Sequence, residues 1–502
     1  MARRYKQGTA RTQQAMLPPR IEDYVGHDNA VRAIDAFVDT LDLEALGFQH
    51  SGGDLAPGQP AFDPAALLKL YLYGYTNRVH SSRRQERECR RNLEVIWLME
   101  GLVPSYRTIA EFRRVNGKAL KAANREFVLL CKELDLLGGQ TVGTDGAFFN
   151  ASASDASIVT KQQLAAELKQ IEREIDDYGQ LLDDNDAQEG RNGELFPDDP
   201  ALDKKLEALK QRQARKQLQL KQLQDSGETQ LSRTDPDARA LSKGKQHTVG
   251  YNVQSTVDAA HKLIVHHEVT NAGNDSQQLS SQCTAAMAIL GVAAIDVVAD
   301  AGYYSESELA ACEEAGASVY VPIPDKHQAL NSQGRISGEH FHYNSRVDVY
   351  VCPGGEVLHP RGQPQRKNGV LRRRYTRPAR RCQGCPLKTV CLSKPDSPRN
   401  VYRSEHAERV AAHRQRMDEH GAARMRQRAA LVEHPFGTLK RWFGWDHFLV
   451  RGFEKVGGEM SIMVLGYNLT RVINTLGVRA FTDYCARRKH ETSTEARAAL
   501  AT

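Results

Sequence analysis

The sequence predicts an α/β protein with a mixed sheet flanked by helices, led by an all-α N-terminal domain. A helical-hairpin insertion and a basic, cysteine-containing insertion interrupt the sheet. Three observations carry this reading. Residues 20–140 read as helical throughout. Two β-rich runs, QTVGT and IDVVA, each end on an aspartate followed by small residues and aromatics. Beyond residue 248, β-rich and helical runs alternate, which is the signature of an α/β core. At 502 residues the chain is too long for one core, so several domains are expected.

In residues 64–102, Leu68, Leu70, Leu72 and Tyr75 precede a basic stretch, and Ile96, Trp97 and Met99 follow it. Pro104 and Ser105 then punctuate, and 107–137 resumes as a basic amphipathic helix. This outline resembles a helix-turn-helix arrangement, which many all-α domains share; the charge of the segment is what gives it weight. Gly138 and Gly139 end the helix, and a strand interrupted near Asp145 is expected over 141–149. In 161–224, Leu164, Leu168, Ile171, Ile175 and Tyr178 recur at spacings of four and three. Leu202, Leu206 and Leu209 repeat the pattern after a Gly/Asn/Pro/Asp-rich break. The expectation is an antiparallel helical hairpin with a coiled-coil seam, or a helix surface that pairs with a second protomer. Two β-rich runs follow in 248–271, joined by a DAAHK turn. Then come a helix over 275–291, a buried strand over 295–305, a short helix over 306–315 and a strand over 318–323. Helical pattern resumes near 405 and runs, with breaks, to about 476. The expected domains are 1–137, a catalytic domain over 138–476 with insertions at 156–234 and 325–404, and a polar tail over 477–502.

Composition narrows the partners. Net charge is only +6, but residues 83–125 hold eleven Lys/Arg against five Asp/Glu, and 361–403 hold thirteen against one. Either block alone could be solvated surface; two in separate segments point to a polyanion, namely a nucleic acid. Arg113 and Arg114 in the first block, and Arg372, Arg373 and Arg374 in the second, are the candidate phosphate contacts. The second trio sits in a Pro/Gly-rich stretch expected to lack a rigid element. No apolar run approaches the roughly 20 residues of a membrane span. The basic N-terminus, MARRYKQGTARTQQ, has no apolar core of a secretory signal behind it. Nine cysteines, an odd number, argue for a reducing compartment, so a cytoplasmic location is expected.

Asp145 and Asp300 both follow β-rich runs, and in an α/β sheet functional groups gather at the carboxyl ends of strands. Glu433 lies on a helix that also carries Arg428, Lys440 and Arg441. Three hard oxygen donors suit Mg²⁺ or Mn²⁺. Two such ions roughly 3.5–4 Å apart activate a hydroxyl and stabilise a leaving oxygen in phosphoryl transfer. Nearby Arg and Lys would hold DNA phosphates. The competing acids are Asp155, Asp235, Asp237 and Asp258, which sit in loop or turn sequence, and Asp296, at the wrong end of its strand. Glu454 and Glu459 compete for the third place but lie beside glycines. Separately, Cys352, Cys382, Cys385 and Cys391 include one Cys-x₂-Cys pair and are compatible with a Cys₄ zinc site, with reduced, non-ligand thiols as the alternative.

The strings VGTDGAFFNASAS, KGKQHTVGYNVQSTVDAAHKLIVHHEVTNAGNDSQQL, VVADAGYYSESEL and VEHPFGTLKRWFG resemble the DDE transposases of bacterial insertion sequences. So do PSYRTIAEFRRVN and EKVGGEMSIMVLGYNLTRVINTLG, and the six occur in order over residues 25–475. The resemblance is to the branch with a helical N-terminal domain and a ribonuclease-H-like catalytic domain. It implies that Asp145, Asp300 and Glu433 are the catalytic acids, holding Mg²⁺ or Mn²⁺. The family's Tyr-x₂-Arg-x₃-Glu-x₆-Lys signature fits Glu433 and Lys440; the arginine is one position early, at Arg428, with Met425 in the tyrosine's place. It implies cleavage and strand transfer at transposon ends, a homodimer or larger synaptic complex, and work at the nucleoid of a bacterial cytoplasm. The rivals are a structure-specific nuclease of the same fold and a non-catalytic DNA-binding regulator. A strand-transfer assay separates the nuclease from the transposase.

Overall fold

The computed structural model describes residues 20–50, 60–192, 200–243, 246–325, 332–367, 369–394 and 396–500. They form two compact units. The first comprises Met1–Leu130, Thr438–Trp445 and Glu454–Thr502; the second comprises Cys131–Gly437 and Asp446–Phe453.

The first unit is helical. Its N-terminal helices are α1 (Ala30–Val38), α2 (Pro64–Thr76), α3 (Ser82–Arg91), α4 (Leu93–Leu98), α5 (Tyr106–Val115) and α6 (Gly117–Glu133), the last running on into the second unit. Helix α2 begins where it does because the Asp63 carboxylate accepts from the Ala65 N–H and Pro64 needs no donor at the first position. Leu67, Leu68, Leu70, Tyr71, Leu72 and Tyr75 cover it on all sides, so it is a core helix. Helix α3 is its opposite, burying only Gln85, Glu88 and Cys89 of a charged run. Ser105 caps α5 by accepting from the Thr108 N–H, and α5 buries Ile109, Phe112 and Arg113.

The second unit is mixed α/β. Strand β1 (Thr141–Asn150) is unbroken, where an interruption at Asp145 was expected. The reason is its partner, since Val142 to Asn150 pair antiparallel with Asp258 to Gly250. After β2 (Ile158–Thr160) come α7 (Lys161–Asn192) and α8 (Pro200–Asp225), which pack together, and β3 (Gln230–Ser232) closes on β2. Lys216 and Arg233 both pair with Glu167 at the base of these helices. Then follow β4 (Arg239–Lys243), β5 (Gln246–Asp258), β6 (Ile264–Thr270), α9 (Leu279–Leu290), β7 (Ile295–Val298), α10 (Glu306–Glu314) and β8 (Ala317–Tyr320). In the sheet, β5 pairs antiparallel with β6 and with β1; β1 pairs parallel with β7, and β7 parallel with β8. Strand β4 extends the sheet along the start of β5.

A second sheet is formed by β9 (His342–Asn344), β10 (Val349–Val351), β11 (Val357–Pro360), β12 (Gln365–Lys367), β13 (Val370–Arg377) and, after the short α11 (Lys388–Cys391), β14 (Arg399–Ser404). Its core is small: Phe341, Tyr350, Leu358, Tyr375 and Val401. Arg372, Arg373 and Arg374 lie on β13, bonded to β12 on one side and β14 on the other. The expectation of no rigid element there is therefore corrected: β13 has eight residues, but VLRRRYTR does not alternate apolar with polar, so no period-two signal marks it.

Helix α12 (Ala407–Gly437) lies across the first sheet, where Leu431 and Val432 pack on Val298 and Tyr320. The chain then enters the first unit and returns to the second over 446–453, where the Phe448 ring packs at a tilt against Phe149 and its N–H donates to the Asn150 carbonyl at 2.9 Å. Helices α13 (Phe453–Leu476) and α14 (Val478–Leu500) complete the first unit. Within it α13 passes the start of α6 so closely that a Cβ on Gly458 would come 2.6 Å from the Gly117 Cα.

Candidate active site

Parity places the two aspartates together. Thr141 and Gly143 of β1 stand opposite Asp296 and Val298 of β7; two residues further are Asp145, still on β1, and Asp300, on extended backbone just past the end of β7. Side chains alternate across a strand, so all of these point to one face. That face is covered by α12. A Cβ on Gly143 would meet Val432 at 2.8 Å, Arg424 pairs with Asp296, and Arg428 reaches both site aspartates. The Arg428 guanidinium lies 3.5 Å from the Asp145 carboxylate and 3.7 Å from that of Asp300. Its Nε is buried without a hydrogen-bond partner. Asp300 also caps a short turn, accepting from the Gly302 N–H at 2.9 Å, and Asp145 accepts from the Gly146 N–H at 3.0 Å.

The opposite face adds a group that sequence reasoning missed. Asp275 is buried and accepts from Asn252 at 2.8 Å and Gln254 at 2.7 Å. A Cβ on Gly146 would come 2.6 Å from its Oδ1, so the residue after Asp145 has to be glycine while Asp275 stays there. Tyr303 donates to Gln254. Burial, reinforced by the carboxylates of Asp275, Asp145 and Asp300, pushes its hydroxyl well above the usual phenol range. Nothing local in NAGNDSQQ marked Asp275 out.

Glu433 is exposed on α12, five residues past Arg428, which is roughly 7.5 Å along a helix. Among the described residues no three carboxylate, imidazole or thiol groups are closed to metal-ligand distances. The structure brings Asp145 and Asp300 to one cation and leaves Glu433 on the same helix as that cation. Arg428 itself, expected at DNA phosphate, faces these two acids.

Of the competing acids, Asp296 is tied to Arg424, and five others are engaged elsewhere. Within the second unit, Asp235 accepts from the Tyr251 hydroxyl and the Gly452 N–H, Asp237 from the Phe453 N–H, and Asp258 from the Gly138, Gly139 and Ala260 N–H groups. Within the first unit, Glu454 pairs with Lys118, and Glu459 is buried against Arg113 at 3.2 Å. Arg113 also donates to the Tyr75 hydroxyl at 3.0 Å, so its charge is committed inside the fold. Arg114 is exposed and pairs with Glu111. Lys440 and Arg441 sit on a π-helical turn, Thr438–Trp442, where Arg441 and Trp442 are exposed. In the second sheet Arg372 pairs with Glu306 at 3.0 Å and Arg373 with Asp348 at 2.7 Å, while Arg374 is exposed. A cleft of about 880 Å³ runs from Tyr304, just past Asp300, to Arg372, Arg403 and Arg414.

Comparison with known proteins adds two matches. Residues 351–473 match the family described as Transposase DDE domain, and residues 19–115 match Transposase domain (DUF772). The first range contains Arg428, Glu433, Lys440 and Arg441; Asp145 and Asp300 lie outside both. No curated protein and no solved structure matches the chain. No helix among the described residues is long and apolar enough to cross a membrane.

Proposed function

We propose, from the premise that this chain is an insertion-sequence DDE transposase, that it cuts and rejoins DNA at transposon ends using Asp145, Asp300 and Glu433. The observation that carries this is the meeting of Asp145 and Asp300 at neighbouring strand positions around one cation. Two carboxylates already facing a shared positive charge fit Mg²⁺ or Mn²⁺, whose preferred donors are hard oxygens. The strand order β6–β5–β1–β7–β8, three antiparallel strands followed by two parallel ones, supports a ribonuclease-H-like reading of the sheet.

Asp145, Asp300 and Glu433 would hold the ions. When bound, they supply the Lewis acidity that activates a hydroxyl and stabilises the leaving oxygen. The protein's own part is positional. The acids fix where the scissile phosphate sits; Lys440 as a point charge, and Arg441, Arg114 and Arg372 to Arg374 through guanidinium hydrogen bonds, hold the DNA backbone. Water attacks first and frees a 3′-hydroxyl, which then attacks target DNA. No bond between protein and DNA forms in this scheme. Joining two ends calls for two active sites, so a homodimer or larger synaptic complex is part of the reading.

The test uses labelled duplexes carrying the element's ends. Asp145→Asn, Asp300→Asn and Glu433→Gln should each abolish cleavage and strand transfer while end binding persists. Cleavage surviving in any one variant removes that residue from the site. Cleavage without joining in the wild type would point to the nuclease instead.

A further inference from the structure

Of the nine cysteines, Cys89, Cys131, Cys283, Cys312 and Cys485 are buried, and the remaining four are only partly so. Those four, Cys352, Cys382, Cys385 and Cys391, line a single cavity of about 40 Å³ at the edge of the second sheet. They arrive there on two tight turns and one helical turn. Cys352 opens a Cys-Pro-Gly-Gly turn in which Gly355 has φ +81°, and the Glu356 N–H donates to the Cys352 sulfur at 3.4 Å. Cys382 and Cys385 bracket a second turn through Gly384, φ +80°, where the Cys385 N–H donates to the Cys382 carbonyl at 3.3 Å. Only glycine takes these backbone angles without strain. A Cβ on Gly354 would stand 3.7 Å from the Cys352 sulfur and 3.6 Å from that of Cys385, so the two turns face each other.

We propose that Cys352, Cys382, Cys385 and Cys391 bind one structural Zn²⁺ that holds the second sheet together. Four cysteine thiolates are a structural zinc donor set. Each ligating thiol gives its proton to solvent, leaving a centre of net charge −2. Arg377, Arg381, Lys388 and Arg399 line the same cavity and offset that charge. The sulfurs stand wider apart than a coordination sphere, since no three ligand groups among the described residues are closed to metal distance. A χ1 step moves a cysteine sulfur by about 3 Å, which is how the set would draw in around an ion. The sheet's clustered core, Phe341, Tyr350, Leu358, Tyr375 and Val401, is small for six strands, and a metal at its edge would add to it. This proposal does not rest on the transposase reading.

The full-length chain, purified without chelator, should carry about one zinc per molecule by elemental mass spectrometry. Cys382→Ser/Cys385→Ser should lose it, and Cys89→Ser should keep it. Replacing zinc with Co²⁺ should give the visible bands of tetrahedral cobalt and a thiolate charge-transfer band. Should the double variant fail to fold, Cys391→His tests the same set, retaining cobalt with shifted bands. A folded, metal-free chain whose four thiols react freely with a thiol reagent would overturn the proposal. So would zinc unaffected by the double substitution, or iron with the brown colour of an iron–sulfur cluster.

Discussion

Arg113 in the helical unit and Arg428 in the sheet unit both face carboxylates, yet their surroundings differ in stoichiometry and access. Arg113 meets one acid, Glu459, and the two side chains are 7% and 1% exposed. The Tyr75 hydroxyl donates to the same carboxylate at 2.5 Å and accepts from Arg113 at 3.0 Å, so the charges are balanced and bonded. Arg428 meets two acids at longer range, and Asp145 and Asp300 are 18% and 29% exposed; a buried Nε without a partner is common to both arginines. One centre is neutral and closed to water. The other carries surplus negative charge at the surface, which is what a cation site requires. The same residue types make a closed structural tie or an open, negatively charged cluster according to how many acids share the arginine and whether solvent reaches them.

The largest effect that sharpens this contrast is on chemistry. Asp300→Asn should lower the cleavage rate by about a thousandfold or more, because stabilisation of transition-state charge is worth several kcal/mol. Its thermal midpoint should stay near wild type. Glu459→Gln should do the reverse, costing about 3–5 kcal/mol of stability by stranding the Arg113 charge in the core. Chemical denaturation of both variants separates the two centres; equal loss of stability in both would erase the distinction. Smaller again is the triple substitution of Arg372, Arg373 and Arg374 by alanine. It should weaken binding to all DNA sequences alike and flatten the log–log salt dependence by roughly 0.9 for each DNA phosphate no longer neutralised. An unchanged slope would reduce this run to ion pairs with Glu306 and Asp348. The smallest effect belongs to Arg114→Ala, which removes an exposed pair with Glu111 and should leave the unfolding midpoint at its wild-type value. Any effect of Arg114→Ala would instead appear in DNA affinity.

The aspartates were legible because a β-rich run ending in Asp is a local feature, and strand parity does the rest once β1 and β7 pair. The helical hairpin was legible from leucine spacing, and α7 and α8 do pack together. Three things were not. Arg113 reads as one more basic residue on an amphipathic helix, and its partner Glu459 lies 346 positions away. Asp275 gains its meaning from Asn252, Gln254 and the missing side chain at Gly146, all brought together by sheet pairing. The return of α13 and α14 to the N-terminal helices is likewise a long-range feature that periodicity does not encode. Local pattern reveals candidate groups; pairing decides which of them share charge.

The central claim, that Asp145, Asp300 and Glu433 share one metal position, is tested most directly by mapping that position on the protein. Fe²⁺, which also accepts carboxylate donors, is bound in place of Mg²⁺ to the full-length chain with its DNA ends. Ascorbate and peroxide then cut the backbone beside the ion, and mass spectrometry locates the breaks. The account predicts scission around residues 145, 300 and 433 together, lost from all three places in Asp145→Asn. Scission near 145 and 300 but never near 433, or an unchanged pattern in Asp145→Asn, would contradict it.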